Sequence, residues 1–319
     1  MAKNLVYLEL KKCPSLTEVP SSLQYLDKLE ELELKYSYNL RRFPMLDSKV
    51  LRVLRISRCL DVNTCPTISQ NMKWLQLEET SIKEVPQSVA SKLERLYLSG
   101  CPEVTKFPEI SEEIEKLKLR GTAIKEVPSS IQFLTRLRHL DMSGCSKLES
   151  FPEITGPMKS LVELNLSKTS IKELPSSIQF LTRLYVLDMS GCSKLESFPE
   201  ITVPMESLHF LQLSKTGIKE IPSSSFKHMI SLRRLYLHGT PIKALRELPS
   251  SLQTLTTHDC ASLETVTSII NISNLWLDFT NCFKLDQKPL VAAMHLKIQV
   301  SLLTLTLFLL SFLLASSHF

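Results

Sequence analysis

Residues 137–155 read LRHLDMSGCSKLESFPEIT and contain one full copy of the pattern that dominates the chain. Its centre alternates apolar and polar residues, which predicts a β-strand with Leu140 and Met142 facing inward and Asp141 facing outward. Proline fixes the backbone φ angle and cannot continue a strand or sit inside a helix, so Pro152 predicts a return segment. The stretch therefore describes one strand and its connection to the next.

The same pattern recurs along most of the chain, as L-x-x-L-x-L followed by Cys or Thr, an apolar residue and a proline. The central leucines, spaced by 20 to 24 residues, are Leu8, Leu32, Leu54, Leu75, Leu96, Leu117, Leu140, Leu164, Leu187, Leu211, Leu235, Leu255 and Leu275. A period of roughly 20–29 residues with this leucine spacing is typical of leucine-rich repeats, whose strands bury their inner faces only by stacking about 4.8 Å apart. The sequence thus predicts an α/β fold, a leucine-rich-repeat solenoid of about 13 repeats shaped as a curved horseshoe with a concave parallel β-sheet.

Recurring prolines mark the convex side of the predicted solenoid. They are often followed by two serines, as at 129–130 and 176–177. Serine is a favoured N-cap residue, so each Ser-Ser pair predicts the start of a short helix.

Composition excludes several classes of protein and of function. Leucine supplies 57 of 319 residues, and the hydrophobic share of 43% excludes disordered, collagen-like and disulfide-scaffold classes. The seven glycines argue against a phosphate-binding fold, and the net charge of +5 is far from that of a nucleic-acid-binding tail. The sequence contains no P-loop, nucleophile elbow, zinc-protease motif or dinucleotide-binding fingerprint. We therefore predict a protein that is not an enzyme and that uses no cofactor or metal.

A two-repeat duplication lies within the array. Residues 131–177 and 178–224 are identical at 38 of 47 positions, and several differences fall at outward strand positions, such as Glu163 against Phe210. The two interpretations are drift at unconstrained surface positions and diversification of a binding face.

Most of the cysteines occupy one column of the predicted stack, three residues past the strand. The column contains Cys13, Cys59, Cys101, Cys145, Cys192 and Cys260, with Thr80, Thr122, Thr169 and Thr216 in intervening units. Cysteines two repeats apart stand about 10 Å apart, beyond the roughly 7 Å Cα separation that a disulfide allows. We predict buried free thiols that bond the loop backbone, which indicates a reducing, cytoplasmic location.

Three polar residues form a second candidate column. His238, His258 and Asp278 are spaced by 20 residues at outward positions, and a metal site or a His-His-carboxylate relay is one interpretation of this spacing. A solvated polar column is the other.

The outward strand positions give the strongest functional hypothesis. Aromatic residues beside basic ones, a combination that protein interfaces enrich, occur in two groups, separated by an acidic band at Asp141, Glu163 and Asp188. We predict that a protein partner, and not nucleic acid, binds this face; a solvated face without a partner is the alternative. The candidate binding residues are Trp74, Arg95, Tyr97, Lys116, Lys118 and Arg120, then Phe210, Arg234, Tyr236 and Trp276.

Residues 140–154 and the GTAIKEVPSS segment at 121–130 resemble the repeat region of plant intracellular immune receptors that carry a Toll/interleukin-receptor-like domain and a nucleotide-binding domain. Residues 278–285, DFTNCFKL, resemble the start of the domain that follows the repeats in that class. The resemblance covers about residues 4–296. It implies recognition of a pathogen effector or a host protein in defence, with the nucleotide-binding domain as a partner in full-length relatives. The signalling and nucleotide-binding domains are absent here, so their activities are not carried over, and Met1 opens inside the first repeat, which predicts a fragment.

The C-terminal segment differs from the repeats. Residues 298–317 carry no charge, and about 20 such residues can span a bilayer as a helix. Alternatively, the segment is translated intron, since residues 299–301 can be encoded by a splice-donor sequence. We predict three regions: a repeat array at 1–277, the start of a truncated post-repeat domain at 278–297 and a hydrophobic helical tail at 298–319. The alternative function is a leucine-rich-repeat scaffold or regulator outside immunity, either soluble or anchored in a membrane by this tail.

Overall fold

The computed structural model describes residues 4–43, 48–66, 71–90, 92–156, 158–267, 269, 272, 275–288 and 291–292. Within these residues, thirteen strands form one parallel sheet in which each strand pairs with the strands of the neighbouring repeats, the first and last strands having one partner each. The strands are β1 Tyr7–Lys11, β2 Glu31–Lys35, β3 Val53–Ser57, β4 Trp74–Glu78, β5 Arg95–Tyr97, β6 Lys116–Lys118, β7 His139–Asp141, β8 Glu163–Asn165, β9 Val186–Asp188, β10 Phe210–Gln212, β11 Arg234–Tyr236, β13 Thr254–Thr256 and β15 Trp276–Asp278. A second parallel pair joins β12 Ala244–Leu245 to β14 Thr265–Val266.

The leucines hold this sheet in register. Leu140 pairs with Leu164, and Leu164 pairs with Leu187, in the parallel ladder. All three side chains are buried within one continuous hydrophobic core. Each fully buried leucine contributes about 1.5–3 kcal/mol through removal of apolar surface from water. The predicted leucine-rich-repeat solenoid is confirmed, with about twelve turns connecting the thirteen strands of the described chain.

The last strand departs from the predicted register by two residues. Leu277, and not Leu275, pairs with Leu255. This register lets Phe279 pack against the core and places Cys282 in the cysteine column beside Cys260. Because the shift is an even number of residues, the outward residues of this strand stay outward.

Short helices cover the convex side and begin at the predicted Ser-Ser pairs, although proline and not serine is the N-cap residue. Three 3₁₀ helices, Ser21–Tyr25, Ser129–Phe133 and Ser176–Phe180, begin directly after prolines. Two short α-helices are α1 Gln87–Ala90 and α2 Ser223–His228, and residues 287–288 and 291–292 are also helical. Pro128 and Pro175 themselves occupy the N-cap positions, with no side-chain capping bond. The serine hydroxyls instead tie neighbouring repeats together, since Ser177 Oγ accepts a 2.8 Å bond from the Ile154 amide.

One left-handed residue ends the strand segment of every repeat. Thirteen such residues, with φ between 51° and 77°, are Lys12, Tyr36, Arg58, Glu79, Gly100, Gly121, Gly144, Lys168, Gly191, Lys215, Gly239, Asp259 and Asn281. Glycine adopts this conformation without steric cost, whereas other L-residues lose about 1–2 kcal/mol. Five of the seven glycines therefore serve the turn after the strand.

The predicted C-terminal helix at 298–319 lies outside the described residues. Among the helices of the described residues, none has the length and apolar composition that spanning a bilayer requires. Cys282 and Leu285, from the predicted post-repeat segment, are buried against the end of the repeat core. The boundaries at 277 and 297 remain predictions.

Candidate protein-binding face

The outward side chains of β3–β6 form an aromatic-cationic patch, defined by Arg55, Trp74, Arg95, Tyr97 and Lys118. The guanidinium carbons of Arg55 and Arg95 lie 4.1 Å and 5.1 Å from the centroid of the Trp74 ring. Tyr97 packs edge-on against Trp74 with ring centroids 5.5 Å apart, and the ammonium of Lys118 lies 4.8 Å from the Tyr97 ring. Such cation–π contacts fix the rings and expose a rigid, amphipathic surface of the kind that dominates binding energy at interfaces.

The basic residues of this region differ in their ion pairing. Arg55 is paired with Glu31 in the neighbouring strand. Among the described residues, no carboxylate lies within 4.0 Å of four other cations, which are Arg95, Lys116, Lys118 and Arg120. Six of the predicted binding residues thus lie close together, on the three adjacent strands β4–β6 and in the turn after β6. They are Trp74, Arg95, Tyr97, Lys116, Lys118 and Arg120.

A second aromatic group lies on β9–β11 and includes two residues that the sequence reasoning missed. Tyr185 stacks on His209 with centroids 4.5 Å apart and contacts Phe210 at 5.2 Å. The guanidinium of Arg234 lies 4.9 Å from the Phe210 ring. Tyr185 and His209 stand one position before their strands, where the alternation of inward and outward residues does not apply.

The differences between the two copies of the duplication could have identified this second group from the sequence. In the first copy, the residues equivalent to Tyr185, His209 and Phe210 are Arg138, Val162 and Glu163. Three of the nine differences thus replace a non-aromatic trio by a contacting aromatic trio. This clustering favours diversification of a surface over scattered drift.

Tyr236 and Trp276 are not part of one cluster. Tyr236 is half-buried on β11, opposite Gln212 and Thr256, whereas Trp276 on β15 is 57% exposed. The structure thus places both on the predicted face without bringing them together.

The acidic band has a structural role as well as a charge. Asp141 and Asp188 each accept a hydrogen bond from the amide two residues on, at 2.9 Å to Ser143 and 2.8 Å to Ser190. Glu163 pairs with His139 at 3.0 Å. These carboxylates stabilise the strand ends while leaving negative charge on the face beside the patch.

From Cys59 to Thr216, the buried column behind the sheet is a ladder of alternating thiols and hydroxyls. Thr122 Oγ1 lies 3.2 Å from Cys145 Sγ, and Thr169 Oγ1 lies 3.2 Å from Cys192 Sγ. Each thiol also contacts a carbonyl of the preceding repeat, at 3.1 Å from Cys145 to Leu119. Burial raises the pKa of Cys145 and Cys192, so these thiols stay protonated at neutral pH. The prediction of free, backbone-bonded thiols is confirmed for these residues.

The predicted His238, His258 and Asp278 group does form contacts, although Asp278 belongs to a different column. The two imidazole rings stack with centroids 4.5 Å apart and 7° between their planes. His258 Nδ1 lies 3.2 Å from Asp278 Oδ2, and His238 Nδ1 lies 2.7 Å from Ser214 Oγ. No group of three metal-ligating residues with suitable geometry occurs in the described ranges. The geometry is that of a hydrogen-bonded polar stack on the sheet face.

The histidine stack predicts acid sensitivity. Desolvation, then the charges of His258 and Lys215, lower the pKa of His238 below 6.5, against the opposing effect of Asp259 and Asp278. Below pH 6.5 the unfolded chain therefore binds more protons than the folded chain, and the stability that His238 supplies above pH 6.5 is lost as pH falls. We expect His238→Gln to reduce the drop in the urea midpoint between pH 7.5 and pH 5.5. An unchanged drop in the variant would contradict the assignment.

Solved structures of other proteins share the fold of this chain. The array superposes on Toll, in its complex with Spätzle from Drosophila, with a TM-score of 0.66 at 15% identity over 87% of this chain and 40% of that one. It also superposes on the functional domain of InlJ from Listeria monocytogenes, with a TM-score of 0.51 at 18% identity over 76% and 53% of the two chains. At this identity, the likeness shows the leucine-rich-repeat fold alone.

Sequence similarity is more informative, although it is confined to the repeats. No family model matches the chain. It is 36% identical over 91 residues to the protein SUPPRESSOR OF npr1-1, CONSTITUTIVE 1 from Arabidopsis thaliana, a match that covers 28% of this chain and 6% of that protein. It is 38% identical over 86 residues to the Disease resistance protein RPP5 from the same plant, covering 27% and 6%. The chain thus matches less than a tenth of each of these relatives, and its homologues over the repeat region are plant TIR-type nucleotide-binding leucine-rich-repeat disease resistance proteins.

Proposed function

We propose that this chain is a non-catalytic recognition module in plant innate immunity. In this role it binds a pathogen effector or a host protein through the outward face of its sheet. The observation that carries the proposal is the aromatic-cationic patch, in which Trp74 is held between two arginines and beside Tyr97. Similarity to the repeats of disease resistance proteins supports the immune setting.

The chemistry of the face supports binding rather than catalysis. Leucine-rich-repeat solenoids present one continuous surface that binds partners. The ladder thiols are buried and protonated, and the histidine stack is engaged with Ser214 and Asp278. Free thiols persist in a reducing compartment, so the proposal places the protein in the cytoplasm. In a longer receptor, the nucleotide-binding domain is a further partner under this proposal.

Proximity labelling in plant cells tests the proposal. A biotin ligase fused to the full chain is compared with the same fusion carrying Trp74→Ala, Tyr97→Ala and Tyr236→Ala. Because buried aromatic anchors contribute most interface energy, we expect the triple variant to lose the labelled partners, with a decrease of roughly tenfold or more in their recovery.

A matched variant removes three aromatics from the opposite side. Tyr25, Phe133 and Phe180 each end a 3₁₀ helix on the convex side and are exposed. Their replacement by alanine should leave labelling unchanged. Equal loss in both variants, or in neither, would contradict recognition through the sheet face.

A further inference from the structure

Four cations form a cationic patch, defined by Arg95, Lys116 and Lys118 on the neighbouring strands β5 and β6 and by Arg120 in the turn that follows β6. Arg95 and Lys116 are directly opposite each other in the parallel ladder, and Lys118 follows on the same strand. Like charges directly opposite each other destabilise a sheet. No carboxylate within 4.0 Å relieves this repulsion in the described structure.

Two basic residues on earlier strands of the same face are ion-paired. Lys35 contacts Glu33 at 2.8 Å, and Arg55 is paired with Glu31. In the cationic patch, Arg95 lies against the aromatic face of Trp74, and Lys118 lies against that of Tyr97. Asp141 is the register partner of Lys118 on β7, but its carboxylate accepts the Ser143 amide and forms no ion pair with Lys118 in the described structure. The cationic patch therefore combines positive charge that lacks an ion pair with fixed aromatic rings.

We propose that the cationic patch binds an acidic segment of a protein partner, a ligand class that rests on the recognition function proposed above. Glutamate or aspartate side chains would supply the missing negative charge, and arginine can hold a carboxylate with two parallel hydrogen bonds. Trp74 and Tyr97 would pack against the aliphatic parts of the same segment. Electrostatic complementarity of this kind gives both orientation and a fast association rate.

The flanking charges favour a short acidic segment over a nucleic acid. Glu78 follows Gln76 on β4, and Asp141 and Glu163 lie on β7 and β8, so carboxylates stand on both sides of the cationic patch. With strands about 4.8 Å apart, the two strands of the patch accommodate a few carboxylates. A longer polyanion extends over Asp141 and Glu163, which repel it.

Fluorescence anisotropy with the full chain tests the proposal. The probes are a fluorescein-labelled hexaglutamate peptide, the same peptide with six glutamines and a labelled seven-nucleotide oligothymidylate with six phosphates. We expect binding of hexaglutamate, weakening as sodium chloride rises because salt screens exposed charges. We expect at least fivefold weaker binding of the glutamine peptide and of the oligonucleotide. Oligonucleotide binding equal to hexaglutamate binding would overturn the proposal in favour of a general polyanion site.

Charge reversal locates the site. Lys116→Glu with Lys118→Glu should weaken hexaglutamate binding by roughly tenfold or more, since paired surface charges are lost and repulsion replaces them. The control, Lys125→Glu with Lys147→Glu, makes the same change in net charge at exposed positions outside the sheet face. It should change binding by less than about twofold. Equal effects of the two double variants on hexaglutamate binding would contradict the proposal.

Two further comparisons distinguish a loss of binding from a loss of folding, and one proposal from the other. Lys116→Gln with Lys118→Gln removes the charge without adding repulsion and should give an intermediate loss of hexaglutamate binding. Its urea midpoint should be no lower than that of the unchanged chain, because the repulsion between Arg95 and Lys116 is relieved. If the lysine variants leave hexaglutamate binding intact while the aromatic triple variant still loses its labelled partners, the acidic ligand is wrong and the recognition function stands. If neither set of variants has an effect, both proposals fail.

Discussion

Replacement of Leu164 by alanine is expected to lower the free energy of unfolding by about 3 kcal/mol, within the range of about 2–5 kcal/mol for buried leucines. Leu164 is completely buried, and its strand lies between two others in the middle of the sheet. Its neighbours Leu140 and Leu187 pack on it from both sides in register. The cavity therefore weakens two interfaces between repeats at once. Urea unfolding monitored by circular dichroism measures the loss.

Glu163→Gln provides the matched control for this prediction. Glu163 is the adjacent residue on the same strand, but its side chain is exposed and paired only with His139. Surface substitutions of this kind change stability by less than about 0.5 kcal/mol. A solenoid is a chain of nearest-neighbour interfaces, so a change in the slope of unfolding against urea would indicate that the array has split into separate cooperative units. A loss below about 1 kcal/mol for Leu164→Ala contradicts the packing described above.

Two substitutions at the left-handed position are expected to act in opposite directions. Gly144 has φ of 71°, and valine there should lower stability by about 2 kcal/mol because a β-branched side chain is strained in this conformation. Lys168, at the same position of the next repeat, has φ of 56°. Lys168→Gly should raise stability by about 0.5–1 kcal/mol, since relief of backbone strain exceeds the entropy that glycine adds to the unfolded chain.

The space around Gly144 separates strain from crowding. An added Cβ would meet only the Gly121 backbone, at 3.8 Å, which is ordinary contact. The cost of Gly144→Val is therefore a backbone cost, and Gly144→Asn, which tolerates the left-handed region, should lose clearly less. The same urea experiment decides. Equal losses for valine and asparagine would show that the backbone angle is not the cause.

The leucine period predicted the sheet and its order because one leucine per repeat must enter the core at the same height. The predicted register was wrong only in the last strand, where two leucines could have been the central one. Leu275 and Leu277 both fit the leucine pattern, and what decides between them is distant: Phe279 reaches the core, and Cys282 joins the column only in the observed register. Periodicity along the chain contains no information about such contacts.

The sequence predicted which side chains face outward on the sheet, but not which of them contact one another. Alternation along each strand placed Trp74, Arg95 and Tyr97 outward, and the structure adds the distances that make them one patch. Tyr185 and His209 escaped prediction because they lie just outside the strand, where alternation gives no orientation. The left-handed turn was also hidden, since most of its thirteen residues are not glycine. A left-handed backbone position can be recognised in a sequence only where glycine occupies it.

The hydroxyl–thiol ladder limits how an array of this kind is lengthened. Thr169 contacts the thiol of the following repeat, and the duplicated 47-residue segment carries one cysteine and one threonine of the column. Copying the pair restores a threonine-to-cysteine contact at the new junction, whereas copying a single unit sets like against like, as at Thr216 and Thr240. A protein engineer who extends this solenoid should therefore insert repeats two at a time and cut between a threonine unit and the cysteine unit that follows it.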